Sequence, residues 1–299
     1  LGVAIGVMAL IVVLAVMTGF DNDLKDKIVG SNPHIILHSE EGITDYDALK
    51  ARVMTVPGVR NVAPYTSGQA FLYHGDKILS LNVKGIDVAS EEKVTRIRSY
   101  MRGDRVDLPA GGIIVGQELA AALGIGAGDE VVLSSPVVGL NTTFKVSGIF
   151  YTGMYDYDMT LAFLGIKDAQ SFFGVGSLVT QAGVSLDDPY RAQAVKKALA
   201  SALGPGLHIR TWTEINQNFF AALALEKLAM FIILTLIVLV ACFNIISTLI
   251  VMVVEKTKDI GILKALGATQ KSIRRIFTWG GLLIGCGGTL LGLMAGVAL

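Results

Sequence analysis

Residues 255–277 read EKTKDIGILKALGATQKSIRRIF and lie between two uncharged apolar runs, 229–254 and 278–299. The stretch carries Lys256, Lys258, Lys264, Lys271, Arg274 and Arg275 against only Glu255 and Asp259. A short basic loop beside membrane spans stays on the cytoplasmic side. The preceding run therefore enters from outside, and everything between it and the first apolar run faces outward. Within the loop, Ile260, Leu263, Ala265 and Leu266 make a short amphipathic segment that Gly267 ends. A second helix is expected from Thr269, carrying Lys271, Arg274 and Arg275 up to the next span. A helix on so tight a connection can seat in a partner's groove and pass rigid-body motion to both spans. A plain basic stop-transfer loop is the alternative that composition alone allows.

A third apolar run, residues 1–20, is also uncharged. Each run approaches or exceeds the length of about 20 residues that a helix needs to cross a bilayer. The composition agrees, with 52% hydrophobic residues and a mean hydropathy of +0.59. Lys plus Arg equals Asp plus Glu at 25 each, so no global charge points to nucleic acid. Leu1 has no initiator Met or basic flank before it, so a signal peptide is not expected and the chain reads as an internal fragment. The expected layout is a span at 1–20, an extracytoplasmic domain at 21–228, a span at 229–254, the loop at 255–277 and a span at 278–299.

In the outward domain the periodicity alternates between helix and strand. Strands are expected at 34–39, 59–66, 70–74 and 78–86, with Gly75-Asp76 turning the last two into a hairpin. Residues 44–55 read as a helix capped by Thr44, with Leu49, Val53 and Met54 as its apolar stripe. A second helix–strand unit follows Asp188-Pro189: helix 192–203, a stop at 204–206, and strand 207–212. Two such units imply one α+β subdomain built from 21–86 and 175–228. Inserted in it, 87–174 reads as a β-rich subdomain with strands 112–115, 130–134, 143–150 and 159–164 and a helix at 117–123. The fold class is thus a membrane protein, with α-helical spans and an α+β two-subdomain domain outside.

Catalytic chemistry is not evident. Gly124, Gly126 and Gly128 end a helix and precede a strand, the reverse of a dinucleotide-binding loop. No Walker A pattern exists, since 267–272 lacks the glycine before its lysine. His34 and His38 fall in a strand and are expected to be solvated, and His74 and His208 are isolated, so no metal site is expected. Cys242 and Cys286 lie inside apolar runs, leaving 21–228 without a cysteine. The spans carry no acid or base at mid-depth, which argues against an ion path. Asn244, Ser247 and Thr248 share a face suited to interhelical hydrogen bonds, and Gly281, Gly285, Gly288, Gly292 and Gly296 form a small-residue packing face.

The run 243–277, with the first-span pattern of 1–20 and the residues Gly148-Ile149-Phe150, Tyr155-Asp156 and Ala169-Gln170, resembles the lipoprotein-releasing permeases LolC and LolE. These belong to the wider MacB/FtsX-like group of ABC permeases, and the resemblance covers essentially the whole chain. It implies a four-span subunit of the bacterial inner membrane whose large domain is periplasmic; the fourth span is missing here. It implies pairing with a second permease, homologous or identical, and a dimer of ATPase subunits that bind ATP and Mg, with no cofactor on this chain. It implies that Glu255, Lys256, Asp259, Ile260, Gly261, Ile262, Lys264, Ala265 and Gly267 form the ATPase-coupling helix. The implied substrates are lipoproteins taken from membrane lipid and handed to a periplasmic carrier. For their acyl chains the outward ends of two spans, Met17 and Phe20 with Phe231 and Leu234, are the expected slot. The turn at 134–141, with Pro136, Val137, Val138 and Leu140, corresponds to the LolC carrier-hooking loop but is short. A MacB- or FtsX-like efflux or signalling permease shares the coupling loop without an acyl slot. A membrane-anchored periplasmic binding protein would use the loop only as an anchor.

Overall fold

The computed structural model describes residues 2–101, 106–136, 138, 139 and 141–298. In chain order these form α1 (Gly2–Ser31), β1 (Ile35–Ile43), α2 (Tyr46–Met54), β2 (Val59–His74), β3 (Lys77–Ile86), α3 (Val88–Val94) and α4 (Ile97–Tyr100). Then come β4 (Gly112–Gly116), α5 (Gln117–Leu123), β5 (Glu130–Ser134), β6 (Asn141–Phe150), α6 (Tyr155–Thr160), β7 (Leu161–Gly165), α7 (Ile166–Phe173) and β8 (Val179–Leu186). The chain continues through α8 (Ala192–Leu203), β9 (His208–Thr211), α9 (Trp212–Ile215), α10 (Gln217–Glu255), α11 (Thr257–Ala265) and α12 (Gln270–Ala298). Two compact units result, residues 1–23 with 218–299 and residues 24–217.

In the helical unit, α1, α10 and α12 are each long and apolar enough to cross a membrane. The helices outlast their apolar runs. Nothing after Phe20 stops α1 until Asn32-Pro33, because a residue before proline disfavours helical backbone. Asp21 and Lys227 meet at 3.9 Å across α1 and α10, just beyond the apolar stretches of both. The loop 255–277 contains the two helices expected in it, α11 and the first two turns of α12, whose Ser272 N–H is capped by Thr269 Oγ1 at 3.3 Å.

Glycines decide how closely α12 approaches its neighbours. A Cβ at Gly292 would lie 2.5 Å from the Ala4 carbonyl oxygen and 2.8 Å from Val7 Cβ. At Gly288 and Gly296 it would meet Val3 and Ile11 Cβ atoms, each at 3.0 Å. Gly281 instead faces Leu249 of α10. Gly285, expected on the same packing face, has open space where its side chain would be. Residues 288, 292 and 296 follow one i, i+4 ridge against α1, and 285 lies off that ridge. The expected polar face of α10 also differs. Asn244 packs beside Gly2, Ser247 is exposed, and Thr248 Oγ1 donates back to the Asn244 carbonyl at 2.8 Å within its own helix.

The 24–217 unit is built on one nine-stranded sheet, ordered β3-β7-β4-β6-β5-β2-β8-β1-β9, with β2 also pairing β3. That extra pairing closes six strands, β2, β3, β7, β4, β6 and β5, into a ring. From it, β8, β1 and β9 extend as a second sheet. Strand β2 serves both. Residues from Val59 to Tyr65 pair β8, and Phe71 to Tyr73 pair β5. The two strands expected at 59–66 and 70–74 are therefore one strand of 16 residues. The hairpin expected in the outer subdomain at 21–86 belongs equally to the ring. Gly75, at φ 59°, makes its turn.

Alternation on β2 places Ala70 and Leu72 inside the ring with Leu81, Val83, Ile113, Val115, Leu133 and Phe144, beneath α5 and α7. Gly68 lets α7 lie directly on the strand, since a Cβ there would sit 2.6 Å from the Phe173 ring. On a second core face Lys84 Nζ binds the fully buried Glu91 carboxylate at 3.1 Å and lies 3.6 Å from the Tyr65 ring centre. Burial pushes the Lys84 ammonium down against the upward pull of Glu91.

Several local expectations change. Asp45 rather than Thr44 caps α2, accepting from the Ala48 N–H at 2.9 Å, and Met54 is 43% exposed. Residues 155–160 are helical, so only 161–165 form the strand expected from 159. Trp212 opens a helix instead of closing a strand, because Thr211 and Glu214 make a reciprocal capping box. Glu214 also binds Lys196 at 2.7 Å. Burial opposes its ionisation, but Lys196, the Thr211 N–H and Gln193 outweigh that and hold its pKa down to about 2 from 4.5. The unfolded chain therefore takes up this proton first as pH falls. The clamp's contribution is present above pH 4.5 and is lost toward pH 2. Glu214→Gln is expected to flatten the fall in thermal midpoint across that window; an unchanged slope would remove Glu214 from the account.

Candidate functional site

Helix α11 is held at both ends by local chemistry. Thr257 Oγ1 donates to the Val253 and Val254 carbonyls at 3.1 and 2.8 Å, tying it to the end of α10. Lys256 Nζ binds Asp259 at 2.9 Å, and that hydrogen bond and charge raise the ammonium's pKa. At the far end Gly267 adopts φ 95°. Its N–H meets the Lys264 carbonyl at 3.1 Å while the Ala268 N–H meets that of Leu263 at 2.9 Å, a Schellman closure that only a left-handed residue completes.

Between these ends the surface is bare. Ile262, Leu263 and Leu266 are 61%, 41% and 80% exposed, Ile260 is half-buried, and Gly261, Lys264 and Ala265 are exposed. These apolar side chains stand uncovered on a helix of nine residues, flanked by Lys258, Asp259 and Lys264.

Phe20 and Phe231 are exposed, at 54% and 68%, while Met17 and Leu234 are half-buried. The hollow between α1 and α10 lies deeper. It measures about 350 Å³ and is walled by Gly2, Gly6, Ile233, Ile237, Val240 and Asn244, with none of the four expected residues. Glycines at positions 2 and 6 remove the side chains that would fill it. That i, i+4 pair was the signal available in the sequence. A second apolar hollow of about 410 Å³ lies along α12 at Gly285, Cys286 and Leu293.

In the turn at 134–141, Val137 and Leu140 lie outside the described residues. Ser135 is buried and its Oγ accepts from the Val138 N–H at 3.3 Å, leaving Pro136 and Val138 exposed.

Sequence reasoning missed two arrangements in the 24–217 unit. The Asn32 amide donates to the Tyr157 hydroxyl at 2.9 Å, and that hydroxyl donates to Asn216 Oδ1 at 3.4 Å. Asn32 follows α1 and Asn216 precedes α10, so one phenol ties the ends of two long helices. Its helix α6 is anchored by Asp158, fully buried, which accepts from Thr152 N–H and Oγ1 and from Gly153 N–H. His34, expected to be solvated, is instead 9% exposed, with Nδ1 accepting from the Leu186 N–H at 2.8 Å. His208, expected to be isolated, sits opposite His38 on paired strands with Nε2 3.7 Å from Glu40.

Spanning helices, a basic loop helix and an α+β domain define a membrane permease with a large extracytoplasmic domain. Residues 1–202 match the MacB-like periplasmic core domain, and residues 231–299 match the FtsX-like permease C-terminal region. The chain is 37% identical over 311 residues to the lipoprotein-releasing system transmembrane protein LolC of Neisseria meningitidis, covering 100% of this chain and 75% of that one. It is 33% identical to LolC of Xylella fastidiosa with the same coverage. To LolE of Haemophilus influenzae it is 30% identical, covering 100% of this chain and 76% of that one. The chain belongs to the LolC/LolE family of lipoprotein-releasing transmembrane permeases. Its helices cross the inner membrane and its α+β domain lies in the periplasm.

Proposed function

We propose that this chain is the membrane subunit of an ATP-driven machine that lifts lipoproteins out of the inner membrane and passes them to a periplasmic carrier. The observation that carries the reading is α11, an end-locked helix with Ile262, Leu263 and Leu266 uncovered on the cytoplasmic loop. Such a face is complementary to a groove on a separate ATPase dimer, which binds the ATP and Mg; this chain takes no cofactor and performs no covalent step. Closure of the dimer would push α11 and, through its bonded junction with α10, the spans. A second permease, homologous or identical, would complete the pathway across the bilayer.

The anchor explains why a protein path is needed. Each buried methylene holds by about 0.8 kcal/mol, so two or three acyl chains of about 16 carbons hold by on the order of 25 to 40 kcal/mol gross. No route through water is workable, and an apolar hollow must receive the chains first. The deeper α1–α10 hollow serves that role better than the exposed Phe20 and Phe231. Pro136 and Val138 are the carrier contacts the described loop offers.

Photo-crosslinking in the assembled, full-length complex separates the possibilities. A crosslinking residue at Ile237 is expected to capture acylated lipoprotein before ATP addition and lose it afterwards. Capture only at Phe231 would return the slot to the outer ends. Absence of lipoprotein at both, with an ATPase still copurifying, would favour an efflux or signalling permease.

A further inference from the structure

A polar cavity of about 450 Å³ opens in the periplasmic unit, where the end of α1, the starts of β1 and β2, the α3–α4 junction and the end of β8 converge. Its walls include His34, Arg60, Lys93 and Arg96, together with Glu92 and Asp187. The fixed parts of the wall come from the backbone. The Arg96 N–H binds the Gly30 carbonyl at 2.8 Å, and Asn61 and Ser185 donate to the Lys93 carbonyl at 3.3 and 3.4 Å. These bonds hold the segment from Lys93 to Arg96 against α1 and β2 and leave the cationic side chains at the cavity.

His34 supplies a buried donor. Its Nδ1 is occupied by the Leu186 N–H, so in the neutral ring the proton resides on Nε2. Burial first, then Arg96 and Arg60, keep the imidazole's pKa below its usual value, so the ring is neutral near pH 7 and Nε2–H remains a donor. The Leu186 hydrogen bond and Asp188 pull the other way and are outweighed.

The cations also lack internal partners. Among the described residues, no carboxylate lies within 4.0 Å of Arg60, Lys93 or Arg96. Glu92 is turned to Arg98, at 3.9 Å. Two guanidinium forks, an ammonium and an imidazole N–H match an oxyanion with several acceptor oxygens and more than one negative charge. A carboxylate offers only two oxygens and one charge. The hollow also leaves room for the alcohol to which a phosphate is esterified.

We propose that this cavity binds a phosphate ester of headgroup size, with Arg60, Lys93, Arg96 and His34 Nε2 as its donors. The assignment is separate from the transport reading and concerns a site no part of that reading uses. The ester is a monoester, either free or the headgroup of a phospholipid that ends in one, phosphatidic acid, and the two are distinguishable. Calorimetric titration of the full-length protein, purified in phosphate-free buffer and detergent, with glycerol 3-phosphate and with dihexanoyl-phosphatidic acid below its micelle concentration tests both.

At least one probe is expected to bind saturably and to weaken at least tenfold in Arg60→Gln/Arg96→Gln, whose thermal midpoint should match the parent because both side chains are exposed. Binding of glycerol 3-phosphate identifies a soluble ester; binding of the short-chain lipid alone identifies a headgroup. Saturable binding that survives the double substitution, or none with either probe, overturns the assignment.

Discussion

Gly261→Trp is expected to release the ATPase subunits while leaving this chain folded. Gly261 lies inside α11, and a Cβ there meets nothing within 4 Å in the chain. Its backbone is helical, so Gly261→Ala should strengthen the helix, by roughly 1 kcal/mol. Any loss of coupling on enlarging this position therefore arises at a surface the chain does not itself cover. Tryptophan is expected to lower ATPase copurification and substrate-stimulated ATP hydrolysis at least tenfold, with an unchanged melting temperature. Asp259→Lys, which removes the 2.9 Å bond to Lys256, should act in the same direction with a smaller effect. Full ATPase association with the tryptophan variant would dismiss α11 as the docking element.

Gly292→Leu is expected to have the largest effect on the membrane portion itself. The added carbon would fall 2.5 Å from a backbone oxygen of α1, an atom that cannot swing aside as a side-chain tip can. Overpacking typically costs about 1–3 kcal/mol, and a backbone clash lies at the upper end. Bundles that pack through small residues lose their close approach when one is enlarged. Gly285→Leu provides the control, since open space surrounds that position. A clear drop in membrane accumulation and melting temperature is expected for the first substitution and little for the second. Equal behaviour of the two would refute the α1–α12 packing.

The parts legible in the sequence are those governed by local rules. Apolar length marked the spans, charge asymmetry marked the loop, and Gly75-Asp76 marked the hairpin. Helices 117–123 and 192–203 were bounded by glycines that the structure also places after their last turns. What was not legible depends on partners distant in sequence. Ser67-Gly68 looked like a break in β2 because its glycine has no strand propensity, yet that glycine is there to admit the Phe173 ring. The parallel pairs β3–β7 and β4–β6, which the ring also needs, carry no turn signal between them. His34 alternates as an exposed strand residue would, and only the Leu186 N–H, 152 positions away, explains its burial. At the candidate site the order reverses. Helix α11 was readable because its closing glycine and its exposed apolar residues are nearly consecutive. The hollow between α1 and α10 was not, because its walls come from glycines at one end of the chain and isoleucines more than 200 positions later.

The Tyr157 hydroxyl has a consequence inside the periplasmic unit. Two segments far apart in sequence, at Asn32 and Asn216, share a single phenolic oxygen, seated on α6 and its buried Asp158. Where two independent bonds would let either segment loosen alone, one shared stitch frees both together or neither.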